Sequence, residues 1–214
     1  MAGLTNTGEN AVLDEIYNAA GGTFPAADPF ISLHTADPAD TGASEVTGGT
    51  YARQQVAFGA AASGTLENTG AINFTLMPAC TVVAWSVNDA VTAGNFFQDG
   101  WFSTVSGLAI CRAADVTAND IQSTAHGLAT DDRVVFEVIE GLTIPAGLTA
   151  GTLYFVLATG LTTDAFRVAT TSGGAAIDIT AVGSAIWRKV TPKVVNAGDT
   201  FQIAAGALDI FATE

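Results

Sequence analysis

Two histidines are the first residues to consider for chemistry, because histidine is the commonest general acid or base near neutral pH. His34 and His126 are far apart in the 214-residue chain. His34 alternates with apolar residues and is predicted on the polar face of a strand, whereas His126 precedes a glycine in a predicted turn. The sequence contains no nucleophile elbow, phosphate-binding loop or zinc-protease motif. We therefore predict structural roles for both histidines and no catalytic residue.

An acidic loop is the best candidate for a metal site. Asp37, Asp40 and Glu45 lie within one short segment, and flexible oxygen ligands of this kind suit calcium. The same residues also fit a turn opened by Asp37 and the proline after it, on a solvated surface. The Asp131–Asp132 pair is interpreted in the same way, as two solvated acids in a hairpin turn. We expect no metal or cofactor, and calcium at the acidic loop stays open as the alternative.

Cysteines and tryptophans offer two further kinds of chemistry. Cys80 and Cys111 show no metal-binding or redox spacing and are predicted to be free, buried thiols, with a disulfide as the alternative. Trp85 fits a core strand, whereas Trp101 and its aromatic neighbours fit either the core or an interface anchor.

Polysaccharide cleavage needs two carboxyl groups facing across a cleft. No pair among the 21 acidic residues is marked by a motif.

The charge balance excludes several partners. The chain has 7 basic and 21 acidic residues and a net charge of −14. Its few arginines and lysines are scattered, so neither nucleic acid nor an anionic membrane surface is an expected partner. No signal peptide and no apolar run long enough to cross a bilayer is recognised. We therefore expect no membrane insertion and assembly in a cytoplasm.

The low content of charged residues predicts self-association. Only 13% of the residues are charged, against about 25% in an ordinary soluble domain. Hydrophobic residues make up 49% of the chain. A surface with so few charges is typical of a protein that is covered by copies of itself or by other proteins. We expect a homo-oligomer, with a trimer as one form.

The periodicity of apolar residues predicts one helix and many strands. Residues 7–20 show helical spacing, with Thr7 as N-cap and Gly21–Gly22 as the end. Most of the remaining chain alternates with period two between glycine- and asparagine-rich turns. The predicted strands lie at 30–35, 53–58, 72–76, 81–87, 133–138, 166–168, 177–179, 201–203 and 208–210. This pattern predicts an all-β protein with a β-sandwich-like main domain and one short N-terminal helix.

A change of pattern in the middle of the chain predicts an inserted domain. Residues 108–190 contain several strands with their own turns, enough for a small β-barrel or sandwich. The pattern before and after this stretch differs from it. We therefore predict a host domain made of residues 1–107 and 191–214, with residues 108–190 inserted as a second domain.

Four segments of the host carry a family resemblance. They read TGENAVLDEIYNAA, ISLHTADPADTGASEVTGGTYARQQVAFGAA, NTGAINFTLMPA and VVNAGDTFQIAAGALDIF. Their motifs and order resemble a family of small tailed-bacteriophage virion proteins, described as tail fibre or minor tail proteins. Within the insertion, STAHGLATDDRVVFEV, LTIPAGLTAGTLYFVL and AFRVATTSGGAAIDIT are similar to a small β module of phage tail proteins. In that module Asp131–Asp132 stands where Gly-Asp is usual, and ordinary family members lack the insertion.

The resemblance implies a non-enzymatic structural protein of the virion, assembled in the host bacterium's cytoplasm. It would associate with copies of itself, dock on other tail or capsid proteins through the host domain and project the insertion outward. The helix at residues 7–20 and the hairpin at 199–211 are the expected docking side. Two alternatives stay open. One is a capsid decoration protein, and the other is a carbohydrate-binding or depolymerising module that contacts a host surface glycan.

Overall fold

The computed structural model describes residues 5–17 and 29–211. The chain divides into two compact units. The host unit comprises Met1–Gly100 and Lys193–Glu214, and the inserted unit comprises Trp101–Pro192. Both are built mainly of antiparallel strands, so the prediction of an all-β, sandwich-like protein with a short N-terminal helix is confirmed. Among the described residues, no helix is both long and apolar enough to span a bilayer.

The described elements are as follows, in chain order. The first part contains α1 (Asn6–Tyr17), β1 (Phe30–His34), a 3-10 helix (Ala39–Thr41), β2 (Gln54–Gln55), β3 (Thr65–Glu67), β4 (Ile72–Phe74), β5 (Cys80–Val82), β6 (Ala84–Asn88) and β7 (Phe96–Trp101). The middle contains β8 (Ser103–Cys111), α2 (Ala113–Val116), β9 (Ile121–Gln122), β10 (Arg133–Glu137), β11 (Tyr154–Val156), β12 (Ala165–Phe166), β13 (Val168–Ala169) and β14 (Gly183–Val190). The last part contains β15 (Lys193–Val195), β16 (Phe201–Ile203) and β17 (Asp209–Phe211).

The N-terminal helix forms where the sequence predicts it, but it begins earlier. The Thr5 hydroxyl accepts a hydrogen bond from the Gly8 N–H at 3.4 Å, so Thr5 and not Thr7 caps the helix. The helix buries Leu13 and Tyr17, while Val12 is 42% exposed. The predicted end at residues 18–22 lies outside the described residues.

A four-stranded sheet in the order β2-β1-β6-β7 forms the centre of the host unit. β1 and β6 pair along their whole lengths, from Phe30 opposite Asn88 to His34 opposite Ala84. The predicted strand at 81–87 forms as β5 and β6 with a break at Val83. Every residue of β6 is buried, as expected for a strand covered on both faces. The prediction that Ser32 and His34 face solvent is wrong, because both faces of β1 are covered.

The C-terminal segment of the host unit returns along an earlier stretch of the chain. β15 pairs with β5, β16 with β4, and β17 with β3, all antiparallel. The register is constant from Lys193 opposite Val82 to Ile203 opposite Ile72. Residues 193–211 and 65–82 therefore form one interrupted two-stranded ribbon, which we call the return ribbon.

The buried Asn68 accommodates a one-residue slip in the return ribbon. Residues 204–208 face residues 68–71, so the C-terminal strand has one residue more before Asp209 meets Glu67. The Asn68 amide nitrogen donates to the carbonyl groups of Gly70 and Ala204 at 2.7 and 2.8 Å. Its oxygen accepts from the N–H groups of Ala207 and Leu208 at 3.1 and 2.9 Å. The side chain thus supplies the hydrogen bonds that the slip removes from the ladder.

The inserted unit is one seven-stranded sheet in the order β12-β9-β8-β14-β10-β11-β13. Its two outermost strands, β12 and β13, are consecutive in the chain and separated only by Arg167. The sheet therefore curls until its edges meet at this residue, although it is not a hydrogen-bonded closed barrel. The Arg167 Nε donates to Asp120 Oδ1 at 2.6 Å, beside the start of β9.

A single aromatic core fills the inserted unit. Phe136, Phe166 and Trp187 are at most 1% exposed and contact one another in stacked and edge-on arrangements. Trp187 lies opposite Gly107, where a Cβ atom would come within 2.8 Å of the indole nitrogen. The prediction of a strand at 177–179 is wrong. These residues join no ladder, and the Ile177 N–H bonds the carbonyl of Val168.

The return ribbon leads to a prediction about Asn68. We expect Asn68→Ala to lower the free energy of unfolding by about 2–4 kcal/mol, because buried backbone groups lose their partners. Asn73→Ala is the matched control, since Asn73 is exposed on the same stretch and its side chain accepts a hydrogen bond from the exposed Gln202. Urea unfolding measures both variants. Equal losses in the two variants would contradict the assigned role of Asn68.

Candidate functional site

Four buried polar side chains of the host unit form the polar cluster: Ser32 and His34 on β1, and Ser86 and Asn88 on β6. They are 0–3% exposed. The His34 Nε2 lies 2.9 Å from the Ser86 hydroxyl and 3.1 Å from the Ser32 hydroxyl. The Asn88 amide nitrogen donates to both hydroxyls at 2.9 and 3.2 Å. The strand register places these residues side by side, because Ser32 lies opposite Ser86.

The hydrogen bonds fix the tautomer of the neutral His34 ring. Its Nδ1 lies 2.7 Å from the Ala43 carbonyl oxygen, which can only accept, so Nδ1 carries a proton. Its Nε2 is then the acceptor for a serine hydroxyl. Burial lowers the pKa of His34, against the opposing effects of the Ala43 hydrogen bond and of Glu45. A serine beside a neutral histidine can act as a nucleophile, but Ser32, His34 and Ser86 are all 0% exposed. Their hydrogen bonds join β1 to β6.

Three further polar residues, Tyr51, Glu45 and Arg53, lie beside this cluster. The Tyr51 hydroxyl accepts from the Leu33 N–H at 2.9 Å and donates to Glu45 at 3.2 Å. Burial raises the pKa of Tyr51. Arg53 binds both carboxylate oxygens of Glu45, at 3.0 and 2.8 Å, and donates to the carbonyl groups of Ala90 and Ala93. The segments that contain ISLHT and TYARQ are joined by these contacts.

The acidic loop does not assemble as three free carboxylates. Glu45 is held by Arg53, and Asp37 accepts a hydrogen bond from the Ala39 N–H at 3.0 Å. Asp40 is exposed in the 3-10 helix. In the part of the chain that the structure describes, no three histidine, cysteine, aspartate or glutamate side chains are grouped as a metal site would require. The loop therefore offers calcium no evident set of ligands.

The remaining candidate residues of the inserted unit serve its interior. His126 is 5% exposed, accepts from the Leu128 N–H at 3.0 Å and packs edge-on against Phe166. The indole nitrogen of Trp187 donates to Ser123 at 2.8 Å. Asp132 is paired with Lys189 at 2.7 Å, so the expectation of a solvated acid there is wrong.

The cysteines and the other tryptophans differ in exposure. Both cysteines are free thiols, Cys111 buried and Cys80 half-buried. Burial raises the pKa of Cys111 to about 12, which makes it a poor nucleophile. Trp85 is a core residue, 7% exposed, as predicted, whereas Trp101 is half-buried.

One long strand edge of the inserted unit is open. β9 pairs with β8 only at Ile110. Peptide groups alternate sides along an antiparallel strand, and Ser184, opposite Ile110, donates its N–H to Thr143 and not to β8. The peptide groups of Ile110, Leu108 and Ser106 therefore point away from β14. A cleft of about 370 Å³ lies along this edge and is bordered on its other side by residues 122–126.

The open edge lacks the features that usually protect such strands. β8 reads STVSGLAIC and contains neither charge nor proline. Val105 and Leu108 are 49% and 46% exposed. An uncharged, partly apolar edge is a surface suited to pairing with another protein chain. The sequence-based prediction placed no strand at residues 103–111 and so missed both β8 and its open edge.

The fold and these sites define a class: a β-rich protein with a buried polar cluster and an open, uncharged strand edge. The sequence matches the family model described as Podophage GP4 fiber I protein gp80 over residues 3–124, more than half of the chain. The chain belongs to this family of phage fibre proteins and is, at that level, a structural protein of a bacteriophage virion. The predicted resemblance to tail fibre proteins is confirmed. No curated protein matches the chain.

The Arg53 contacts generate a testable prediction. We expect Arg53→Lys to lower the free energy of unfolding by about 2–4 kcal/mol, because lysine cannot bind both Glu45 oxygens and two carbonyl groups at once. Arg188→Lys is the matched control, since the Arg188–Glu137 pair is more exposed, 41% and 34% against 13% and 21%. It should cost less than about 1 kcal/mol. A loss in Arg53→Lys no larger than in this control would contradict the role of Arg53.

Proposed function

We propose that this chain is a non-enzymatic tail fibre component, which docks on the particle through its host unit and projects the inserted unit outward. The observation that carries the proposal is the family match over residues 3–124. That stretch includes α1, the central sheet of the host unit and the first two strands of the inserted unit, β8 and β9. It therefore contains the framework of the host rather than one short motif.

The chemistry of the described residues supports a role without catalysis. Both serine contacts of His34, to Ser32 and to Ser86, are fully buried. The acidic side chains best placed for chemistry, such as Glu45 and Asp120, are bound to arginines. These groups stabilise loops and strand ends. The surface also exposes several large apolar side chains, such as Val105, Leu108 and Phe211, which suits contacts between proteins.

For docking, we propose the side of the host unit that carries β17 and α1. Phe211 on β17 is 52% exposed, which is high for an aromatic side chain next to a buried Ile210. Val12 on α1 is also exposed. Aromatic side chains of this kind are frequent anchors in protein interfaces.

For self-association, we propose pairing through the open edge of β8, with a second copy as the occupant. Two copies of an acidic chain repel each other over most of their surfaces, since the net charge is −14. The β8 edge carries no charge, so two identical edges approach without this repulsion. The free peptide groups of Ser106 and Leu108 supply the hydrogen bonds, and antiparallel pairing of identical strands is self-complementary.

The position on the particle is tested by copy number. Quantitative mass spectrometry of purified virions should give a handful to a few dozen copies of this chain per particle, as fibres at a tail require. A number close to that of the major capsid protein would overturn the fibre proposal in favour of decoration of the head. Absence from the particle would overturn the structural role itself.

The β8 contact is tested by placing a charge on its edge. We expect Leu108→Lys to shift the protein from oligomer to monomer in analytical ultracentrifugation, because like charges then face each other. Val138→Lys is the matched control, since Val138 is 59% exposed in the same unit but outside β8. An oligomer that survives Leu108→Lys, or that Val138→Lys dissociates equally, would contradict this surface. A monomeric wild-type chain would contradict self-association.

A further inference from the structure

The polar cluster holds its hydrogen atoms in a closed pattern. Four hydrogens point into it: two from the Asn88 amide and one from each serine hydroxyl. Each has an acceptor, because the two hydroxyl oxygens and the unprotonated Nε2 of His34 are available. The pattern is complete only while His34 is neutral.

Protonation of His34 adds a hydrogen and removes an acceptor. The new Nε2–H would have to donate to one of the serine hydroxyl oxygens. The two hydroxyl hydrogens would then have only the contact between Ser32 and Ser86, which can accommodate one of them. With the Asn88 amide oriented as it is, one donor stays without a partner. A buried donor without a partner and a buried charge are both costly. The cluster therefore discriminates strongly against the imidazolium.

The charged groups near His34 do not fully offset the cost of protonating it. Asp37 and Glu45 lie on the loop that covers the ring, and both favour the charged form. Arg53, on the next segment, disfavours it and already binds Glu45 in a two-pronged ion pair. Desolvation is the largest effect and lowers the pKa of His34. β6 contributes only uncharged groups to the cluster, Ser86 and Asn88.

We propose that the polar cluster is an acid-sensitive latch of the host unit: it holds β1 to β6 while His34 is neutral and releases them when His34 is protonated. These two strands pair over five residues at the centre of the four-stranded sheet. Release there loosens the host unit, the part of the chain that we propose docks on the particle. The proposed latch follows from the geometry of the cluster and does not require that the host unit docks on the particle.

The sign of the pH effect follows from proton binding in the two states. A folded-state pKa below the unfolded value means that the unfolded chain binds more protons as the pH falls. The stabilisation that neutral His34 provides is fully present above about pH 6.5, the ordinary pKa of histidine. It is lost as the pH falls from there to the folded-state pKa, by up to tenfold in the folding equilibrium constant per pH unit.

The experiment compares the full-length protein with His34→Gln and His126→Gln. Urea unfolding, followed by NMR signals of β1 and β6 amides, is measured between pH 8 and 5. We expect the wild-type protein to lose stability below about pH 6.5, and His34→Gln to lose up to tenfold less per pH unit in this range. The His126→Gln variant measures separately the contribution of the other buried histidine, whose Nδ1 accepts the Leu128 N–H. The same slope in His34→Gln as in the wild-type protein would overturn the proposal.

A second measurement does not depend on any variant. The imidazole nitrogen shifts of His34 in the folded wild-type protein report its tautomer and its titration. We expect protonated Nδ1 and unprotonated Nε2 at pH 7, with titration below the ordinary histidine range. A folded-state titration at or above about pH 6.5 would overturn the latch, even if His34→Gln fails to fold.

Discussion

The return ribbon is the constraint on which the rest of the host unit depends. Residues 193–211 lie antiparallel along residues 65–82, so the chain must return after the inserted unit to the segment that precedes it. Lys193 then lies opposite Val82. The inserted unit meets the same condition from its own side, since Ser103 near its start lies opposite Val190 near its end. A β unit whose first and last strands are neighbours can occupy a loop of another domain without disturbing it.

Buried polar groups determine the local geometry of both units. Asn68 replaces ladder hydrogen bonds at the slip in the ribbon, and Arg167 with Asp120 fixes the point where the two edges of the inserted sheet meet. The polar cluster and the three polar residues beside it do the same for β1 and β6. In a chain with few charges, several ionic side chains are thus used inside the architecture. β8 itself contains no charged residue.

These features agree with membership of a phage fibre family. A fibre component needs a firm framework, a surface for neighbouring chains and little chemistry of its own. The central sheet of the host and the return ribbon supply the framework, and we propose the open edge of β8 as the surface. His34 is enclosed within the framework. We propose that its protonation acts on the stability of the fold.

The sequence alone predicted the β class, the N-terminal helix, most strands of the host unit and the family, because period-two alternation and motif order are local properties. It missed β8 and β14, the two longest strands of the inserted unit. It could not show what covers each face of a strand. Alternation placed Ser32 and His34 opposite Ile31 and Leu33, but only the tertiary structure buries both sides. The register of the return ribbon, the closure at Arg167 and the open edge of β8 join residues that are distant in sequence. Such pairings depend on which segments meet in space, and the periodicity of one segment does not identify the segment that pairs with it.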